Sequence, residues 1–164
     1  MADLKPKYGT TNQAVTINLA SLASSATVGR EGAIVDNSTS LFIDALVMCQ
    51  IKTQNSGTIG NESAVYVYAY GTVDTSTPTY PDAVTGADTG ITLNAPTQLK
   101  LLGVINVTAI NTTYKGGPWG LAALFGGMLP QKWGIVVRNY CGTALSATAG
   151  DHKVLWQGVQ VQSV

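Results

Sequence analysis

Between Ala64 and Val73 the chain reads AVYVYAYGTV, so that Val65, Val67 and Ala69 alternate with Tyr66, Tyr68 and Tyr70. A period of two belongs to a β-strand, and here it sets small apolar side chains on one face and three phenols on the other. Both faces of this strand therefore need cover. The run LFIDALVMCQIK repeats the period. Leu41, Ile43, Ala45, Val47, Cys49 and Ile51 form a continuously apolar face suited to the inner layer of a sandwich, while Phe42, Asp44, Leu46, Met48, Gln50 and Lys52 make a mixed one.

Further strand patterns occur at AVTINLA, KLLGVINVTAI, KWGIVVRNY and KVLWQGVQVQS, separated by clusters of Gly, Ser, Asn, Asp and Pro. That punctuation marks an all-β domain. The 164 residues suffice for one core, and no repeat or linker divides them. The expectation is a single-domain antiparallel β-sandwich over residues 13–164, with residues 1–12 as an N-terminal arm. The opening MADLKPK, polar and proline-containing, reads equally as an arm or a frayed terminus. The tract from Val73 to Pro96 holds Pro78, Pro81 and Pro96 with many Thr, Asp and Gly residues, and reads as a long surface connection with at most short strands. One short helix is expected where Pro118 could occupy a first turn, Leu121, Leu124 and Phe125 share a face, and Gly126 and Gly127 supply a stop.

Composition narrows the function. Only 11% of residues are charged, against about a quarter in an ordinary globular domain, and nine basic side chains balance nine acidic ones. Such a chain has no field to draw it to nucleic acid or an anionic membrane. No stretch reaches the ~18 apolar residues of a spanning helix, and MADLKPKYG lacks the apolar segment of an export signal, so neither membrane insertion nor export is expected. A sparsely charged exterior suits a protein whose surface is covered by neighbours in an assembly.

No reactive constellation emerges. Cys49 and Cys141 lie too far apart for a local metal or redox spacing, and Cys49, among alternating apolar residues, reads as a buried thiol. The single histidine, His152, reads as solvated or hydrogen-bonded. The two glutamates, Glu31 and Glu62, and seven aspartates are scattered, and a glycosidase pair is set by distance rather than spacing. The glycines of TGADTG and KGGPWG fit no phosphate-binding pattern and read as turns. Sequons at Asn37, Asn61, Asn106 and Asn111 read as accidents of a Ser- and Thr-rich chain. No catalytic residue, metal or cofactor is therefore expected.

The stretch GREGAIVDNSTSLFIDALVMCQIKT, followed by AVYVYAYGT and later FGGMLPQKWGIVVRNYCGTALSA, resembles small structural proteins of tailed bacteriophages, a similarity extending across most of the chain. The resemblance implies a jelly-roll-like β-sandwich that attaches to a capsid or sits in the head-to-tail or tail apparatus. It implies no enzyme activity. It points to a capsid decoration or cement protein, assembled into the virion in the host bacterial cytoplasm, with the major capsid protein and other copies of itself as partners. A collar, tail or adaptor component is the related alternative. Candidate contacts are Leu4, Lys5, Pro6 and Tyr8 of the arm, Tyr80 and Pro81 of the long loop, and Tyr66, Tyr68 and Tyr70, whose ring face either meets a partner or is covered by a loop of the same chain. A competing expectation is a carbohydrate-binding module in which Trp119, Trp133, Trp156 or a surface tyrosine stacks on a sugar; Trp133 and Trp156, lying in strand patterns, read rather as core.

Overall fold

A computed structural model of the chain describes residues 3–60, 62–74, 76 and 79–164. Its strands are β1 (Leu4–Tyr8), β2 (Gln13–Ala14), β3 (Val28–Glu31), β4 (Val35–Asp36), β5 (Asp44–Lys52), β6 (Ala64–Thr72), β7 (Thr89–Thr92), β8 (Lys100–Asn106), β9 (Thr113–Gly120), β10 (Lys132–Tyr140) and β11 (Lys153–Ser163). All pairings are antiparallel, in two sheets. One sheet runs β1-β11-β5-β9, with β2 also on β11; the other runs β7-β3-β10-β6-β8, with β4 also on β10.

Eight of these strands nest like a folded hairpin: β2 pairs with β11, β3 with β10, β5 with β9 and β6 with β8. Wrapped over two sheets, that nesting is the jelly roll. β1, β4 and β7 are additions to it. The expected all-β sandwich is therefore the fold, and β10 and β11 span the same residues as their sequence patterns.

The core follows from the period of two. Ala45, Val47, Cys49 and Ile51 of β5 face Val65, Val67 and Ala69 of β6, with Ile135 and Val137 of β10 beside them. Trp133 and Trp156 meet edge to face across the sheets, their rings 5.3 Å apart, as aromatic quadrupoles prefer. Leu41 and Ile43 do not join this layer, because the strand begins only at Asp44; both are exposed.

Three other expectations are corrected. AVTINLA contributes only the short β2, because the chain then changes sheets: Val15 donates its amide to Val154, and the carbonyl of Thr16 accepts from Ala33. Pro118 lies within β9 rather than a helix, and a single 3-10 turn, Ala122–Phe125, follows, ended by Gly126 at φ 79°. Residues Leu4–Tyr8, expected as an arm or a frayed end, are hydrogen-bonded along β11 from Val159 to Ser163.

The nested topology gives the sandwich two unlike ends. At one lie residues 37–43, 73–74 and 121–131 with the β1–β11 terminus; at the other lie 15–27, 53–60, 62–63, 107–112 and 141–152, while residues 79–99 run along the sheet between them. Among the described loop residues, the first end exposes Leu41, Ile43, Val73 and Met128, and the second exposes Ile110 as its only large apolar side chain.

Candidate interaction surface

The tyrosine face of β6 is covered by the chain itself. Residues 79–99 fold back over the outer side of the β3-β10-β6-β8 sheet, where Val84, Ile91, Leu93 and Leu99 close on Tyr68, Tyr70 and Val136. Tyr70 donates its hydroxyl to the carbonyl of Gly32 at 3.1 Å and meets Tyr80 edge to face. Burial pushes the Tyr70 phenol above its usual range, with the Glu31 carboxylate adding to the effect. Tyr68 and Tyr70 are thus core residues of a second apolar cluster and not interface residues, and Tyr80 and Pro81 are half-buried in the covering segment. Tyr66 remains half-buried beyond the cover, with the Arg138 guanidinium 4.4 Å above its ring.

Carboxylates hold the cover down. Glu31, fully buried on β3, accepts hydrogen bonds from the amide and hydroxyl of Thr85 and the amide of Gly86. Asp82, in the left-handed conformation at φ 62°, accepts from the Thr97 hydroxyl and the amides of Ala83, Asn94 and Gln98. Burial pushes the Asp82 carboxyl up, but those donors outweigh it and hold it below its usual range. Arg30 pairs with Asp88 at 2.6 Å. The partners of Glu31 lie 54 and 55 residues away, so it carried no mark in the sequence; it latches the cover to β3.

The cysteines, the histidine and the tryptophans are packed or hydrogen-bonded within the fold. Cys49 and Cys141 are free buried thiols, and burial pushes Cys49 up to about 12. His152 is nearly buried; its Nδ1 accepts the Lys52 amide and its Nε2 lies 2.9 Å from the Ser146 carbonyl oxygen. Trp133 and Trp156 are in the core, and Trp119 lies against it with its ring over Gly103 and Gly116, where a methyl group would collide. The Asn61 sequon lies outside the described residues.

What stays open is the terminal ribbon and the end of the sandwich beside it. In the β1–β11 register Leu4, Pro6 and Tyr8 lie opposite Ser163, Val161 and Val159, while Lys5 and Lys7 lie opposite Gln162 and Gln160. Directly opposed residues share a face. The ribbon therefore has an apolar side and a polar side, and β5 pairs with β11 only as far as Val159, so beyond it the ribbon is two strands wide. A lone two-stranded ribbon is marginal in water. Leu4 is nevertheless 74% exposed and Tyr8 57%.

At the same end an open groove of about 790 Å³ is lined by Val73, Leu124, Phe125, Met128, Leu129 and Pro130, with Lys100 also at its wall. Val73 is 99% exposed and Met128 72%. The arm residues Leu4, Lys5, Pro6 and Tyr8 thus sit at this open end, whereas the phenol face does not; the groove itself comes from loops 73–99 and 121–131, whose apolar residues lack any periodicity that would have marked them. The chain matches no protein-family model, no curated protein and no solved structure.

Proposed function

We propose that the protein is a non-enzymatic structural component of a bacteriophage particle, a decoration or cement protein that seats the open end of its jelly roll on the major capsid protein. The observation that carries this reading is the gathering of exposed Val73, Met128, Leu41, Ile43 and the ribbon's Leu4 and Tyr8 at one end of the sandwich, where the loops of the other end expose Ile110 alone among their described large apolar side chains. An exposed apolar cluster of this kind marks an association site rather than a solvated surface. The low charge of the chain fits the same role, since it leaves little repulsion between closely packed copies.

The mechanism is linkage. A protein that binds the assembled lattice and not its free subunits stabilises the lattice by mass action, raising resistance to heat and internal pressure. Adding the purified protein to capsids that lack it tests this. It should sediment with them and raise their disruption temperature; folded protein that does neither overturns the decoration role.

A further inference from the structure

The ribbon of β1 and β11 has two free edges, and they differ. Asp3 and Val164 exchange both of their main-chain hydrogen bonds, at 3.2 and 2.9 Å, and the Gly9 amide donates to the Gly158 carbonyl at 2.8 Å. Between these fixed points the register is unbroken, so hydrogen-bonded pairs alternate with unbonded ones. Lys5 with Gln162 and Lys7 with Gln160 are the bonded pairs. Leu4, Pro6 and Tyr8 therefore turn their main-chain groups outward from β1, and Val161 and Ser163 turn theirs outward from β11, on the side where β5 has stopped. The Val159 carbonyl, two residues earlier, points the same way and accepts the amide of Ile43. On the β1 edge Pro6 has no N–H to offer, and proline on an edge blocks the addition of a strand. The β11 edge carries no such block. Val161 and Ser163 are exposed, each offers an N–H and a carbonyl, and among the described residues no hydrogen bond engages either amide. On the polar side of the ribbon neither Lys5 nor Lys7 makes an ion pair among the described residues.

We infer that an extended segment of the capsid protein adds to β11 as the third strand of the ribbon, bonded through the main chain of Val161 and Ser163, with apolar side chains beside Val161 and Pro6 and acidic ones toward Lys5 and Lys7. The inference rests on the decoration reading and names the part of the partner that the ribbon holds. Strand addition takes its affinity from main-chain hydrogen bonds and its selectivity from alternate side chains, and a third strand is what a marginal two-stranded ribbon lacks. Strands ~4.8 Å apart set the new one ~10 Å from β1, a gap that a lysine and a glutamate bridge from its two sides. Charge selects against a second copy on this edge. Residues 4–8 and 159–163 contain no acid, so another ribbon would bring only glutamine and more lysine to Lys5 and Lys7.

Two measurements test it. When free protein is titrated with a short end-capped peptide of alternating valine and glutamate, the nuclear magnetic resonance signals of the Val161 and Ser163 amides should shift and their exchange with water should slow, while the amides of Gln160 and Gln162, already bonded to β1, hold. Lys5→Glu combined with Lys7→Glu should abolish the shift. With capsids that lack the protein, Val161→Pro removes the outward amide without touching a bond to β1, and should bind about tenfold or more weakly than the wild type, whereas Val161→Ala keeps the amide and should lose less. Absent peptide shifts, shifts that spare Val161 and Ser163, or a Val161→Pro protein that binds capsids as the wild type does overturn the inference. So does a doubled mass in light scattering that Val161→Pro halves, because the edge then belongs to a second copy. Wild-type protein that takes the peptide at Val161 and Ser163 yet does not sediment with capsids upholds strand addition at this edge and overturns the decoration role, so the two readings fail separately.

Discussion

Glu31 and Thr85, 54 residues apart, are joined twice: the Thr85 amide reaches one carboxylate oxygen at 2.9 Å and its hydroxyl reaches the other at 2.6 Å. The carboxylate is wholly buried and has no cation beside it in this contact, so its charge is carried by hydrogen-bond donors of a single covering segment. The bond ties to β3 the segment that buries Tyr68 and Tyr70.

Replacing Glu31 with alanine would leave three donors of Thr85 and Gly86 without their acceptor. Thr85 is exposed and Gly86 half-buried, so water can take up part of the loss, and of the about 1–3 kcal/mol for unmet groups the expected cost is near the lower figure. Urea unfolding should show it, and limited proteolysis should cut within residues 79–99 before the rest of the chain. Wild-type stability with an uncut segment would contradict the latch.

The phenol face depends equally on Gly134. A methyl group built there collides with the Tyr70 ring. Gly134→Ala should therefore displace Tyr70, break its bond to Gly32 and cost about 1–3 kcal/mol, as overpacking does. The thermal midpoint of the variant measures this; an unchanged midpoint would mean that the ring does not rest on this glycine.

The path from pattern to fold can be read from particular elements. β11 alternates and β10 is a short apolar run, each between punctuating residues, and their limits were legible to the residue. β9, with the sequence TYKGGPWG, reads as a turn because Gly116, Gly117 and Pro118 lack strand propensity; it is an edge strand with an irregular register opposite Val47 to Cys49, where glycine and proline are tolerated. β3, VGRE, is too short and too charged to show a pattern, and its Glu31 is buried only because donors arrive from a distant loop. The ribbon's residues were legible as contact candidates, but its two-sidedness needed the register with β11, which no local pattern carries.

Acid should unfold the protein by protonating aspartates whose carboxyls lie below their usual range. In Asp82 the raising effect of burial is outweighed by four donors, and in Asp151 the Ser146 hydroxyl leads, with Lys52 assisting. A folded-state pKa below the unfolded value of 3.8 gives stability that is present above that value and is lost as pH falls through the folded one. The thermal midpoint should drop below about pH 4, and Asp82→Asn should flatten that drop. A drop of equal slope in the variant would show that Asp82 takes no part.

Both thiols should be inert in the native protein. Cys49 is pushed up to about 12 and Cys141 is also raised, each chiefly by burial. The thiolate is the reacting species, so a chromogenic disulfide reagent at mildly alkaline pH should react only after denaturant is added, releasing two equivalents per chain. Prompt reaction without denaturant would contradict this packing.

Hydrogen exchange compared between free protein and protein bound to capsids asks directly which surface meets the particle. The account requires slowed exchange in residues 37–43, 121–131 and the β1–β11 ribbon on binding, with residues 15–27 and 107–112 unchanged. Slowing confined to the opposite end, or none anywhere in a bound sample, would contradict it.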